Sequence, residues 1–148
     1  MRKMIKYCTV VLWMGLISFL SFQNGDVSTV TSSGVSWMIY HFIKTLIPSI
    51  SISVDDFVLQ YMPFIRKMAH FGEFLILGVL IFLLIIEYKT KRPHILSIVI
   101  CFVYAIFDEI HKYFVPNRYC SLKDIMIDTS GAIVGILLCY TIYKKWKK

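Results

Sequence analysis

The stretch DEIHKYFVPNRYCSLKDIMID, residues 108–128, decides how this chain is read. It carries Asp108, Glu109, His111, Arg118, Asp124 and Asp128. Uncharged runs flank it, 95–107 before and 129–143 after. Charge at the mouth or inside of a membrane span is costly and marks a functional site by default. The stretch therefore reads as a polar knot between two membrane helices.

Downstream, a span covers about 125–143. Ser121 is the expected N-cap, and Asp124 three residues on partly mimics a capping box. Asp124 and Asp128, four apart, share one helix face. Ser130, Gly131 and Gly135 allow close helix contact. Upstream, a span covers about 95–114. Asp108 and His111 share a face there, while Glu109 points ~100° away. Pro116-Asn117 is a turn signal.

Further back, a span at about 66–86 carries Arg66, His70 and Glu73 on one face. Pro63 is expected to kink it or to separate a short lead-in helix, with Asp55 or Asp56 as N-cap. The first apolar run, about 7–22, follows Arg2, Lys3 and Lys6, and no small-residue cleavage site comes after it. It reads as a retained helix, ended by Gln23-Asn24-Gly25-Asp26. A Ser/Thr-rich piece, 28–33, leads into an amphipathic pattern over 34–47. Those fourteen residues make only ~21 Å of helix, short of a span. The pattern predicts a short interfacial helix, or a re-entrant one, in a long first loop.

Composition agrees. The 148 residues are 57% hydrophobic and 17% charged, with mean hydropathy +0.68. A soluble domain carries about a quarter charged residues. The net charge of +7 does not indicate nucleic-acid binding, because the basic residues flank apolar runs as topology charges do. Four cysteines without a framework spacing predict no disulfides. The expected fold is an all-α integral membrane protein of four transmembrane helices, one domain over residues 1–148.

Four spans put both termini on one side. Arg2, Lys3, Lys6, Lys89, Lys91, Arg92, Lys144, Lys145, Lys147 and Lys148 lie there with one acid, Glu87. The positive-inside rule makes that side cytoplasmic, N-in and C-in, with the polar helix ends facing outward. Counting at 1.5 Å per residue places Glu73, Asp108 and Asp128 level, ~20–22 Å above the cytoplasmic ends. His70 and His111 come out near ~25 Å, one layer above the carboxylates, and Arg66 and Arg118 are placed in that layer with them.

Level carboxylates this close cannot all stay ionised unless something neutralises them. Three readings follow. The cluster ties the helices together as a structural network. It binds a charged or polar headgroup, glycan or peptide through Arg66, His70, Glu73, Asp108, Glu109, His111, Arg118, Asp124 and Asp128. Or it is catalytic, with a divalent metal, zinc or manganese, held by His70, Glu73, Asp108, His111 and Asp128. HxxE and DExH are weak signals alone, and neither matches HExxH. No phosphate loop or nucleophile elbow occurs. A transporter is disfavoured, because four spans lack room for two repeats and the polar residues occupy one half of the membrane.

The polar residues also carry a resemblance. RKMAHFGEF at 66–74, DEIHKYFVPNRYCSLKDIMIDTSGAIVG at 108–135 and QNGD at 23–26 resemble the VanZ-like family of small bacterial membrane proteins, the teicoplanin resistance protein family. Arg66, Lys67, His70, Glu73, Asp108, Glu109, His111, Phe114, Pro116, Arg118, Asp124, Asp128 and Gly131 fit its pattern. Phe74 stands where tyrosine is frequent, and Lys112 where glutamine is. The resemblance covers Tyr7 to about Tyr143. It implies a four-span protein of the bacterial cell membrane with a role at the cell envelope. The founding member confers teicoplanin resistance without altering the peptidoglycan precursor terminus. The partners implied are membrane lipids and a lipoglycopeptide or cell-wall lipid intermediate. The resemblance fixes a class rather than an activity, a cofactor or an oligomeric state.

Overall fold

The computed structural model describes residues 2–23, 25–116 and 118–146. Asn24 and Asn117, expected in turns, and the tail residues Lys147 and Lys148 lie outside them. The described chain is all helix and connection: α1 (Arg2–Phe22), α2 (Gly25–Leu46), α3 (Val54–Ile85), α4 (Pro93–Lys112) and α5 (Leu122–Trp146), with a 3₁₀ turn at Ile86–Tyr88 after α3. Four segments are long and apolar enough to cross a membrane: Lys3–Phe22, Val54–Tyr88, Pro93–Lys112 and Leu122–Trp146. The protein is a multi-pass helical membrane protein.

α3 is the hub and touches all four other helices. Phe74, Leu77, Ile81 and Phe82 on it are buried with Ile17 of α1, Cys101 and Ala105 of α4, and Ala132 and Ile136 of α5. Large apolar side chains such as Leu12, Phe19, Phe102, Val103, Leu138 and Ile142 point outward. In a soluble protein that surface would be a liability, whereas in a bilayer it is the lipid face.

Small residues set the α3–α5 contact. A Cβ on Gly131 would overlap the Phe71 carbonyl, one on Gly135 the Leu75 carbonyl, and one on Gly78 the Ala132 carbonyl. Backbones this close need glycine, the device expected of Gly131 and Gly135.

The other end of the bundle is tied by Lys6. Its Nζ pairs with Glu87 and donates to the Leu83 carbonyl at 3.2 Å, and Lys3 lies 5.3 Å from the Tyr88 ring centroid. The start of α1 and the end of α3 therefore share one end of the bundle.

Three expectations are corrected. The helix predicted over 34–47 begins at Gly25 and runs 22 residues. The Ser/Thr tract belongs to it, because its hydroxyls bond back to the preceding turn: Ser33 Oγ donates to Val30 O at 2.8 Å and Ser36 Oγ to Ser32 O at 2.7 Å. α2 packs on the start of α3, with the Tyr40 ring 5.4 Å from Phe57 and its hydroxyl donating to Ile52 O at 3.0 Å. Nor is there a separate lead-in helix. α3 runs 32 residues through Pro63, and its N-cap is Ser53 rather than Asp55 or Asp56. Ser53 Oγ accepts from Asp56 N at 3.1 Å and donates to Asp56 Oδ2 at 2.7 Å, so Asp56 is the far half of the capping arrangement.

Gly131→Val and Gly135→Val are expected to lower the thermal midpoint in detergent sharply. Gly72→Ala, with open space at its Cβ, should leave it unchanged or raise it slightly. Thermal unfolding of the three variants checks the close contact.

Candidate functional site

The last turn of α4 is wedged between α1 and the start of α5, and this turns two consecutive acids inward. Asp108 faces α1, where Ser21 Oγ donates to its Oδ2 at 2.9 Å. Glu109 faces the α4–α5 connection, where its Oε2 accepts from the Ser121 backbone N–H at 2.9 Å. Lys112, one turn on, lies 3.1 Å from Asp108 Oδ2 and 2.6 Å from Glu109 Oε1. Asp108 and Glu109 are fully buried and Lys112 is 3% exposed.

Asp128 comes from α5. It is fully buried, and neither carboxylate oxygen has a hydrogen-bond partner among the described residues. Oxygens of Asp108, Glu109 and Asp128 lie within 4.8 Å of one another, the one such group among the described residues. Two of these carboxylates hold the Lys112 ammonium, and the third lies beside them. Orphaned buried polar atoms are rare, and each calls for an explanation.

Above this cluster is a cleft of about 370 Å³, bounded by α3, the end of α4, the connection and α5. Arg66, His70, Arg118, Asp124 and Asp128 line it, as do Lys67 and Lys112. Lys67 Nζ is 4.0 Å from Asp124 Oδ1. His70 Nδ1 is 3.3 Å from Glu73 Oε2, near enough for an ion pair but outside hydrogen-bond alignment. Arg118 is half-buried, and its Nε is buried without a partner among the described residues. Burial pushes its pKa down from the ordinary guanidinium value and the neighbouring Arg66 charge adds to this, against Asp108, Glu109 and Asp124, which raise it.

Five of the sequence-predicted residues therefore line one cleft, and Asp108 and Glu109 sit behind it through Lys112. Glu73 and His111 are placed otherwise. Glu73 pairs with His70 and stays out of the carboxylate group. The His111 ring stacks on Phe22 and Phe107, at 5.3 and 6.1 Å between centroids, on the α1 side. Glu109 does point away from Asp108, toward the α4–α5 connection, and it is buried there because the last turn of α4 is covered on both flanks.

The metal reading changes with these positions. The grouped donors are carboxylates without imidazole, a set that suits magnesium or manganese better than zinc. At Asp108 and Glu109, Lys112 already stands where a cation would neutralise them.

Lys112 was missed as a site residue, although it is where the sequence departs from the pattern's glutamine. Also missed was the polar ladder between α1 and α4. Tyr104 Oη donates to Met14 O at 2.6 Å and lies 2.9 Å from Ser18 Oγ, one turn below the Ser21–Asp108 bond. The spacing of Ser18 and Ser21 against Tyr104 and Asp108 was the available signal.

Fold and site define a small helical membrane protein with a charged cleft at one end of its bundle. The chain belongs to the VanZ/LLP1 family, whose model matches residues 7–143. No curated protein and no solved structure gives a match.

Removing Lys112 should unfold what removing the Asp128 charge spares. Lys112→Met leaves two buried carboxylates uncompensated, a loss of about 3–5 kcal/mol. Asp128→Asn breaks no bond and should stay within about 1 kcal/mol of the native protein. Chemical unfolding in detergent measures both.

Proposed function

We propose that this protein is a VanZ-like component of the bacterial cell envelope. In this reading its cleft opens on the extracytoplasmic side and binds the headgroup of an envelope lipid or a lipoglycopeptide such as teicoplanin. The observation that carries it is the unpartnered Asp128 beneath a cleft rimmed by Arg66 and Arg118. A purely structural network would satisfy its members, as Glu109 is satisfied. Here Asp128, with both oxygens open, and the open Arg118 Nε belong to residues that line the cleft.

Orientation rests on charge. Arg2, Lys3, Lys6, Lys89, Lys91, Arg92, Lys144 and Lys145 belong to the ends and loop opposite the cleft, which the positive-inside rule assigns to the cytoplasm. The termini are then N-in and C-in, and α2 lies with the cleft on the outer side, its Trp37 side chain exposed at the expected headgroup level.

A second reading is favoured by the same Asp128. A carboxyl without a hydrogen-bond partner, beside His70, is free to move a proton. That would suit a membrane-embedded enzyme acting on a lipid or cell-wall intermediate, and turnover separates it from binding alone.

The test is teicoplanin susceptibility of a sensitive Gram-positive host carrying empty vector, the native chain or Asp128→Asn. The native chain should raise tolerance. The variant, at equal folded amount in the membrane, should not. Equal tolerance from native and variant would remove the cleft from the activity, and no change from either would remove the antibiotic.

A further inference from the structure

The cations of the cleft can be assigned one by one. Lys112 is taken by Asp108 and Glu109, and Lys67 faces Asp124. Arg66 and Arg118 remain. Neither has a carboxylate within 4.0 Å among the described residues, and the Arg66 charge acts on Arg118. Both guanidiniums line one cleft, the Arg118 Nε is buried and unpartnered among the described residues, and although Asp108, Glu109 and Asp124 act on Arg118 from a distance, an anion seated between the two would relieve their repulsion directly.

We propose that Arg66 and Arg118 form a binding site for a phosphate-type oxyanion at the rim of this cleft. The inference rests on the headgroup-binding reading above and names the chemistry of the headgroup.

Guanidinium matches phosphate because its planar fork of N–H donors meets two oxygens at once. The start of α5 lies at the same rim, and its positive dipole end adds to the field there. Depth is limited from below. The fully buried Asp128 carboxylate at the floor repels an anion that enters further, so the group stays at the half-buried guanidiniums. Arg118 lies in the connection between the two spans that end at Lys112 and begin at Leu122. That is the border between apolar layer and water, where a lipid phosphate resides. Met62, Pro63 and Ile127 give the cleft apolar wall beside the charges, suited to the first carbons of an attached chain.

A lipid phosphate and free phosphate share this chemistry, and the probes separate them. Purified full-length protein in dodecyl maltoside would be titrated with dioleoyl phosphatidic acid, dioleoylglycerol, inorganic phosphate and teicoplanin, with bound ligand read by native mass spectrometry. The site predicts phosphatidic acid bound at least about 10-fold tighter than dioleoylglycerol, which lacks only the phosphate. Inorganic phosphate should compete at higher concentration. If it binds as tightly as phosphatidic acid, the anion is free phosphate and the site stands with a different source. Arg66→Gln with Arg118→Gln should abolish the preference, and the charge-keeping pair Arg66→Lys with Arg118→Lys should weaken it. Lys91→Gln, at the other end of the bundle, should leave it intact. Equal binding of phosphatidic acid and dioleoylglycerol by the native protein would overturn the proposal whatever the variants do, as would an unchanged preference in the double glutamine variant. Binding of teicoplanin or dioleoylglycerol without any phosphate preference would sink the oxyanion site alone and spare the headgroup reading. No binding of any probe would sink both.

Discussion

A lysine ammonium buried between two carboxylates at the end of a membrane helix is the constraint on which the upper half of this protein depends. Lys112, Asp108 and Glu109 are almost without solvent, and charge there is tolerated only when paired and hydrogen-bonded. Meeting that condition draws in the neighbours. Ser21 must come to Asp108, which sets how α1 crosses α4. Ser121 must present its N–H to Glu109, which fixes the start of α5. The direction of the connection and the position of Arg118 follow from that start. The lower half is governed differently, by glycine-mediated backbone contact between α3 and α5 and by the Lys6–Glu87 pair at the far end.

Within the polar end the labour is divided. Glu109 is fully used, and Asp108 keeps one oxygen unpartnered. Asp128 and the Arg118 Nε are not used at all. Their demand for a partner is directed into the cleft, and it differs in sign between rim and floor. The lining of the cleft thus joins the cations Arg66 and Arg118 with the carboxyls of Asp124 and Asp128. That combination underlies both the headgroup reading and the phosphate-type group proposed for Arg66 and Arg118.

Much of this was legible in the sequence. Uncharged runs bounded by basic residues marked the four spans, and the small residues Gly131 and Gly135 marked the close contact. Counting residues from the helix ends brought Asp108 and Asp128 to one depth. Helical periodicity gives the angle of a side chain about its own axis, however, and not which neighbour stands at that angle. The ~100° between Asp108 and Glu109 was therefore readable, but not that Ser21 and Ser121 stand at those two angles, nor that His111 meets Phe22. α2 was shortened for a related reason. A Ser/Thr tract reads as a loop until its hydroxyls are seen returning to their own backbone. The N-cap of α3 was displaced because Ser53 and Asp56 share one arrangement and the acid is the more conspicuous half.

The central claim is that the cleft faces the outside of the cell, and Cys120 offers the most direct measurement. It is exposed in the connection at the cleft's rim, while Cys101 is buried. With Cys8 and Cys139 replaced by serine, intact cells would be treated with a membrane-impermeant maleimide. Labelling of Cys120 in intact cells is the predicted result. Labelling only after permeabilisation would put the cleft in the cytoplasm and contradict the account.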